Sequence, residues 1–247
     1  MATSKAETEI AEGVHRCGST HVNWYLIEED DALTVVDTGF PTHWQQLFDW
    51  LAAMNYGLAD IEACLLTHAH PDHIGFAERL REQGDVSVWL HPAGRQRARD
   101  GGDPPLGGFA KNLWRPAIVR YFIEIVRSGG TSIPPVTVVE PVADGSELDV
   151  PGHPRAIHVP GHTDGELAFY LPDRDVLLCG DVFATVDFET WRGNIPKLLP
   201  PWLNVDHEQA RESITRLDSL GEIVLLPGHG DPWTGDMTDA IELARRG

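Results

Sequence analysis

Cysteine is scarce in this 247-residue chain: Cys17, Cys64 and Cys179 stand far apart. Three such residues build no disulfide framework, and no Cys-x-x-Cys pair is present to hold a structural zinc. A reducing compartment suits them, and Cys179, inside an apolar run, reads as a buried strand thiol rather than a ligand or nucleophile. Basic residues are also few, 19 Lys and Arg against 38 Asp and Glu, which leaves a net charge of −19. A surface of that sign repels polyanions and argues against DNA or RNA as partner. No apolar run approaches the ~20 residues of a membrane span, and the opening MATSKAETEI has no basic stretch leading into an apolar one. The expectation is a soluble, cytoplasmic protein with no membrane partner; a homo-oligomer stays open.

What the chain does have is hydrophobic content, 42% of its residues, enough at this length to bury the core of one α/β domain over residues 1–247. HVNWYLIEED and ALTVVDTG are short β-branched and aromatic runs around an acidic turn, a hairpin signature. PTHWQQLFDWLAAMNYG opens with proline, closes with glycine and carries apolar groups at helical spacing. IEACLL, VSVWL, RAIHVPG, ELAFYLP, DVLLCGD and EIVLLPG read as strands. IGFAERLREQG, DHEQARESITRLDSLG and the closing GDMTDAIELARRG read as helices. Two such halves predict two packed sheets with helices outside.

The densest chemistry lies in THAHPDHIG, where His68, His70, Asp72 and His73 fall within six positions. Two residues apart on extended chain, His68 and His70 turn their rings to one side, as two ligands of one metal require. Asp72 and His73 follow Pro71, where the backbone turns, and can aim at a second metal nearby. Three more candidate ligands sit at predicted strand ends beside glycine: His162 in VPGHTDGE, Asp181 in LLCGDVF and His229 in LLPGHGD. A structural zinc site stops at four ligands, so seven such residues point to two ions and to catalysis. The other seven histidines, His15, His21, His43, His91, His153, His158 and His207, are left unassigned, as surface or hydrogen-bonded core residues. Nitrogen and carboxylate donors suit zinc, manganese or iron. Two divalent ions, zinc first among them, would lower the pKa of bound water from ~15.7 towards ~7. The expected reaction is attack of that hydroxide on a carbonyl, with Asp72 handling protons.

This set in this order resembles the metallo-β-lactamase superfamily, whose hallmark is HxHxDH followed by a later His, Asp and His. The resemblance runs from about Asn23 through VDTG (Asp37 to Gly39) to PGHG. It implies an αββα sandwich with the metals at one edge of the sheets. It also implies that His68, His70 and His162 hold one metal, that Asp72, His73 and His229 hold the other, that Asp181 bridges them and that Asp37 supports the ligands from behind; as a bare sequence position, Asp37 is equally a turn former. Aspartate rather than cysteine at position 181 argues against a dedicated β-lactamase, and an acidic chain of this length has no room for a nuclease domain. The remaining resemblance is to the lactonase, glyoxalase II and thioesterase-like branch, with a small ester, thioester or lactone as substrate. GHTDGE, with Asp164 and Glu166, departs from that branch's frequent GHTPGS. The alternative is an iron-dependent persulfide dioxygenase using only His68, His162 and Asp181.

Two segments lie outside these motifs. Residues 92–133 carry seven basic groups, among them Arg115 and Arg120, against three acidic ones, a local charge of about +4. GGDPPLGG reads as a flexible entry and FAKNLWRPAIVRYFIEIV as an apolar helix kinked at Pro116. This segment is expected to cap the site and to attract an anionic acyl substrate, with a solvated face or a subunit contact as the alternatives. Residues 185–204 supply Phe188, Trp191 and Trp202, either lining an apolar pocket or packing on the sandwich.

Overall fold

Asp30 and Asp31 both take a positive φ (50° and 62°), the turn that matches the natural twist of a two-residue hairpin and that aspartate tolerates better than most residues. It joins β3 (Asn23–Glu29) to β4 (Ala32–Val36). The computed structural model describes residues 8–102 and 106–246, so positions 103–105 of the GGDPPLGG stretch lie outside the described residues.

Around that hairpin a seven-stranded sheet forms in chain order: β1 (Thr8–Ala11), β2 (Val14–Gly18), β3, β4, β5 (Ile61–Leu65), β6 (Ser87–Leu90) and β7 (Glu140–Pro141). Pairing is antiparallel through β4 and parallel from β4 to β7. The second sheet has five strands: β8 (Arg155–His158), β9 (Leu167–Leu171), β10 (Val176–Gly180), β11 (Glu222–Pro227) and β12 (Trp233–Asp236), with β10 and β11 parallel. The strands β1, β2, β7 and β12 are not among the sequence expectations.

Alternation along each strand assigns its faces. Trp24, Leu26, Leu33 and Val35 point outward to a helical layer, while Tyr25, Ile27 and Val36 meet Leu167, Phe169, Val176 and Leu178 between the sheets. Ala168, Tyr170, Leu177 and Cys179 point out from the second sheet. The first sheet is covered by α1 (His43–Met54) and α2 (Ala77–Gly84) through Trp44, Leu47, Trp50, Leu51 and Leu80. The second is covered by α7 (Met237–Arg246) and a 3-10 stretch, Ile214–Leu220, through Met237, Ala240, Ile241 and Leu217. Helix, sheet, sheet and helix make the αββα sandwich, each large buried side chain contributing about 1.5–3 kcal/mol. Cys179 is a buried strand thiol whose pKa burial pushes up.

Between β6 and β7 come α3 (Arg95–Arg99), α4 (Leu106–Asn112) and α5 (Pro116–Arg127). The kinked single helix expected across Pro116 is corrected to two helices. Arg115 is extended (φ −91°, ψ 121°) and Pro116 occupies the first turn of α5, because a proline disfavours helical conformation in the residue before it and is welcome at a helix start. DHEQARESITRLDSLG likewise divides, into α6 (His207–Ser213) and the 3-10 stretch. Among the described residues no helix is long and apolar enough to cross a membrane.

Candidate metal centre

β4 and β5 run parallel, and β8, β10 and β11 share one direction in the other sheet. Their C-terminal ends therefore gather at one edge of the sandwich. Asp37 follows β4, the THAHPDH loop follows β5, His162 follows β8, Asp181 follows β10 and His229 follows β11. The loop turns on itself where the His73 and Ile74 amides both donate to the His70 carbonyl (3.0 and 3.2 Å). Glycine closes the approach from outside: a Cβ on Gly228 would lie 2.5 Å from Asp181 Oδ1 and 2.6 Å from His73 Cε1.

The seven expected ligands come together in two groups, His68, His70, His162 and Asp181 in one, Asp72, His73 and His229 in the other, with the donor atoms of each group within 4.8 Å of one another. All seven are buried. Asp181 faces both groups: Oδ2 lies 3.4 Å from His162 Nε2 and 3.3 Å from His229 Nε2, and Oδ1 lies 3.4 Å from His73 Nε2.

The far side of each ring is engaged by another residue. Asp37 accepts from the Thr67 amide (2.9 Å) and hydroxyl (2.8 Å) and meets His73 Nδ1 at 2.8 Å. Its φ of 58° makes it a turn former as well as a support, so the two readings of Asp37 are one. Glu166 Oε1 lies 3.3 Å from His68 Nδ1 and accepts the Asp181 amide at 3.1 Å. Asn204 meets His162 Nδ1 at 3.2 Å. The His229 Nδ1–H donates to the His21 carbonyl at 2.6 Å. Arg97 donates to His70 Nε2 at 3.1 Å, which leaves the single proton of a neutral ring on Nδ1. Tyr121 of α5 donates to Asp72 Oδ2. Tyr121, Asn204, Arg97 and His21 escaped the sequence reading because each reaches its partner across many residues and belongs to no motif. Glu166 was visible there only as a departure from GHTPGS.

Charge in the cluster is divided. Burial, then neighbouring imidazoles, hold His68 and His70 well below the usual histidine pKa, and burial lowers His162 despite Asp181. Burial also opposes charge on His73 and His229, but the surrounding carboxylates together outweigh it and raise both, Asp181 with Asp37 and Asp72 at His73 and Asp181 with Asp72 at His229. Asp181 is depressed in turn, because His229 and His73 overcome its burial. Burial, with Asp181 next, raises Glu166.

These residues fit a metal. His73 Nε2 and Asp181 Oδ1 are buried without a hydrogen-bond partner, and such atoms are costly unless something binds them. His70 Nδ1 also faces both His68 Nε2 and His162 Nε2 at 2.9 Å, and one proton can serve only one of them. A cation among His68 Nε2, His70 Nδ1 and His162 Nε2 would replace that conflict with lone-pair donation from all three, at the cost of releasing protons and of the Arg97 bond, since His70 would then carry its proton on Nε2.

Beside the cluster opens a pocket. Its walls are Phe40, Phe109, Ile125, Phe188, Leu199 and Leu203, and its floor includes Asp72, Asp181 and His229. No Lys or Arg among the described residues lines it. Arg115 instead pairs with Glu189 and stacks 4.5 Å over Trp114, and Arg120 is exposed. Of the aromatic loop, Phe188 lines the pocket, Trp191 packs behind it at 4.8 Å, and Trp202 packs on Phe109 at 5.5 Å.

Comparison with known proteins agrees. The family described as the Metallo-beta-lactamase superfamily matches residues 17–229. The Bacillus subtilis (strain 168) protein named "Probable metallo-hydrolase YflN" is 29% identical over 98% of this chain and 94% of its own length. The crystal structure of the metallo-beta-lactamase family protein TTHA1429 from Thermus thermophilus superposes with a TM-score of 0.68 at 26% identity, covering 95% of this chain and 78% of that one. TTHA1623, solved in a di-iron-bound form, gives 0.62 at 26% identity, covering 93% and 96%. The family match runs through every one of the seven clustered residues, and the chain belongs to the metallo-beta-lactamase superfamily of metallo-hydrolases.

Proposed function

We propose that the protein hydrolyses a small, uncharged ester, thioester or lactone with an apolar acyl part, using two divalent ions. The observation that carries this reading is the contact between a seven-donor cluster and an apolar pocket that no basic side chain lines among the described residues. Apolar walls around a few polar groups suit a small molecule, and the missing cations argue for a neutral substrate over the anionic one suggested by the charge of residues 92–133. That segment caps the site through Phe109, Tyr121 and Ile125.

In this reading His68, His70 and His162 hold one ion, Asp72, His73 and His229 the other, and Asp181 spans them. When bound, such ions bring the pKa of water towards ~7 and polarise the bond under attack. The chain's own groups supply the rest. Asp37, Glu166 and Asn204 orient the rings, so that no reorganisation is needed as the reaction proceeds. Asp72 Oδ1, the oxygen Tyr121 leaves free, takes up a proton at the pocket floor. The apolar walls exclude water from the acyl side and strengthen the electrostatics within.

The test is elemental analysis of protein purified without added metal, followed by a screen of neutral esters, thioesters and lactones. About two ions per chain with turnover of an apolar acyl substrate, abolished by Asp181→Ala, supports the reading. Zinc is the first expectation, and the di-iron neighbour makes iron the second. One iron per chain, with oxygen consumed in the presence of a persulfide, would replace it with the dioxygenase. Turnover retained by Asp181→Ala at normal metal content would refute the mechanism.

A further inference from the structure

The two donor groups are held from behind by different parts of the chain. In the first group, His68 and Asp181 lean on Glu166, His162 on Asn204 and His70 on Arg97. None of these lies on α5. In the second group two of three residues are held through that single helix. Tyr121 donates directly to Asp72 Oδ2, the oxygen that also faces His229 Nε2 at 3.4 Å and His73 Nε2 at 3.9 Å. This is the carboxylate oxygen turned towards the centre. One turn further along α5, Glu124 receives both the Ser19 hydroxyl and the His21 ring. Ser19 Oγ in turn accepts the amides of His21 and Val22, each at 3.2 Å. The turn so pinned presents the His21 carbonyl that takes the His229 Nδ1–H at 2.6 Å, which fixes the tautomer with Nε2 free to coordinate. Only His73 is independent of α5, through Asp37.

We infer that α5 is the outer support of the Asp72–His73–His229 subsite alone, with Tyr121 and Glu124 as positioning residues that set how tightly this subsite holds its ion. The inference rests on the two-ion reading. It makes occupancy of one subsite depend on a helix that also walls the substrate pocket through Tyr121 and Ile125, while the other subsite fills independently of it. Residues behind a ligand commonly govern metal affinity by 10–100-fold, and Tyr121 adds a charge-assisted bond in a buried setting.

The experiment is zinc titration of the metal-free full-length protein against a chromophoric chelator, with cobalt(II) absorption spectra as a second readout of each subsite. Tyr121→Phe removes one hydroxyl, and Glu124→Gln keeps the shape of the side chain while removing its charge. Each is expected to weaken one of the two binding steps about 10–100-fold and to leave the other within about twofold. Asn204→Ala should show the mirror image. His70→Ala and His229→Ala backgrounds assign the steps: Tyr121→Phe should weaken the ion left in the first and leave untouched the ion left in the second. Circular dichroism of each metal-free variant checks that the fold is kept. If both steps weaken equally, or neither changes, in Tyr121→Phe and Glu124→Gln alike, α5 has no such role. A wild-type protein that binds one ion only would overturn the two-ion reading, and the inference with it, before any variant is compared.

Discussion

Replacing Asp37 with alanine should destabilise the metal-free protein by about 5 kcal/mol. The carboxylate is 2% exposed and serves three donors: the Thr67 amide at 2.9 Å, the Thr67 hydroxyl at 2.8 Å and His73 Nδ1 at 2.8 Å. At about 1.5–3 kcal/mol for each hydrogen bond to a charged group, a simple sum overshoots. The three bonds share one acceptor and are not additive. The nearer guide is loss of one partner from a buried charge pair, about 3–5 kcal/mol. Alanine also fits the 58° φ poorly, which adds about 1 kcal/mol. Asp37→Asn keeps the shape and tolerates that φ, so it should cost less while still upsetting His73, with metal affinity down about 10–100-fold. Urea denaturation of metal-free protein at pH 7 reads the first effect without linkage to bound ions. At a slope of about 3 kcal/mol/M the midpoint should fall by more than about 1 M. An Asp37→Ala midpoint within about 0.3 M of wild type would refute the claim that this carboxylate carries the turn.

Three further outcomes follow from particular contacts. Burial lowers His43 from 6.5 to about 4, so the unfolded chain binds its proton first as pH falls. His43 should contribute on the order of 3 kcal/mol to the fall in stability from pH 6.5 down to about 4, beside the depressed His68, His70 and His162, and a His43→Gln variant should lose that share of the difference between denaturation at pH 7.5 and 4.5. Gly228→Ala drives a methyl against Asp181 and His73; elemental analysis should find depleted metal, and full occupancy would show that the centre yields more easily than its contacts imply. Arg120→Ala should leave KM for a neutral acyl ester unchanged, since Arg120 is exposed and does not line the pocket; a severalfold rise would return the basic segment to substrate recognition.

Much of the centre was legible in the sequence because its ligands follow local rules. His68, His70, Asp72 and His73 share one short loop, and a strand followed by glycine marks His162, Asp181 and His229. The strands of the sandwich were legible where alternation or a sustained apolar run was long enough, as in ELAFYLP. The brief β1 and β12 carry too few residues for a period, and Pro116 looked like a kink because sequence alone does not say whether a helix precedes it. Glu166, four residues after His162, stood out in the sequence only as a departure from GHTPGS, and its contact with His68 Nδ1 joins residues 98 positions apart.

Composition and local pattern, then, determined the layer architecture, the seven clustered residues and their order, since hydrophobic period and turn chemistry act over a few neighbouring residues. Tertiary structure alone decided what stands behind each ligand and what faces the substrate. Tyr121 meets Asp72, Glu124 reaches His229 through His21, Asn204 meets His162, and the basic groups of residues 92–133 are absent from the walls of the pocket. Those pairings join residues tens to hundreds of positions apart, and a hydrogen bond acts over a few ångströms of space, to which distance along the chain is no guide.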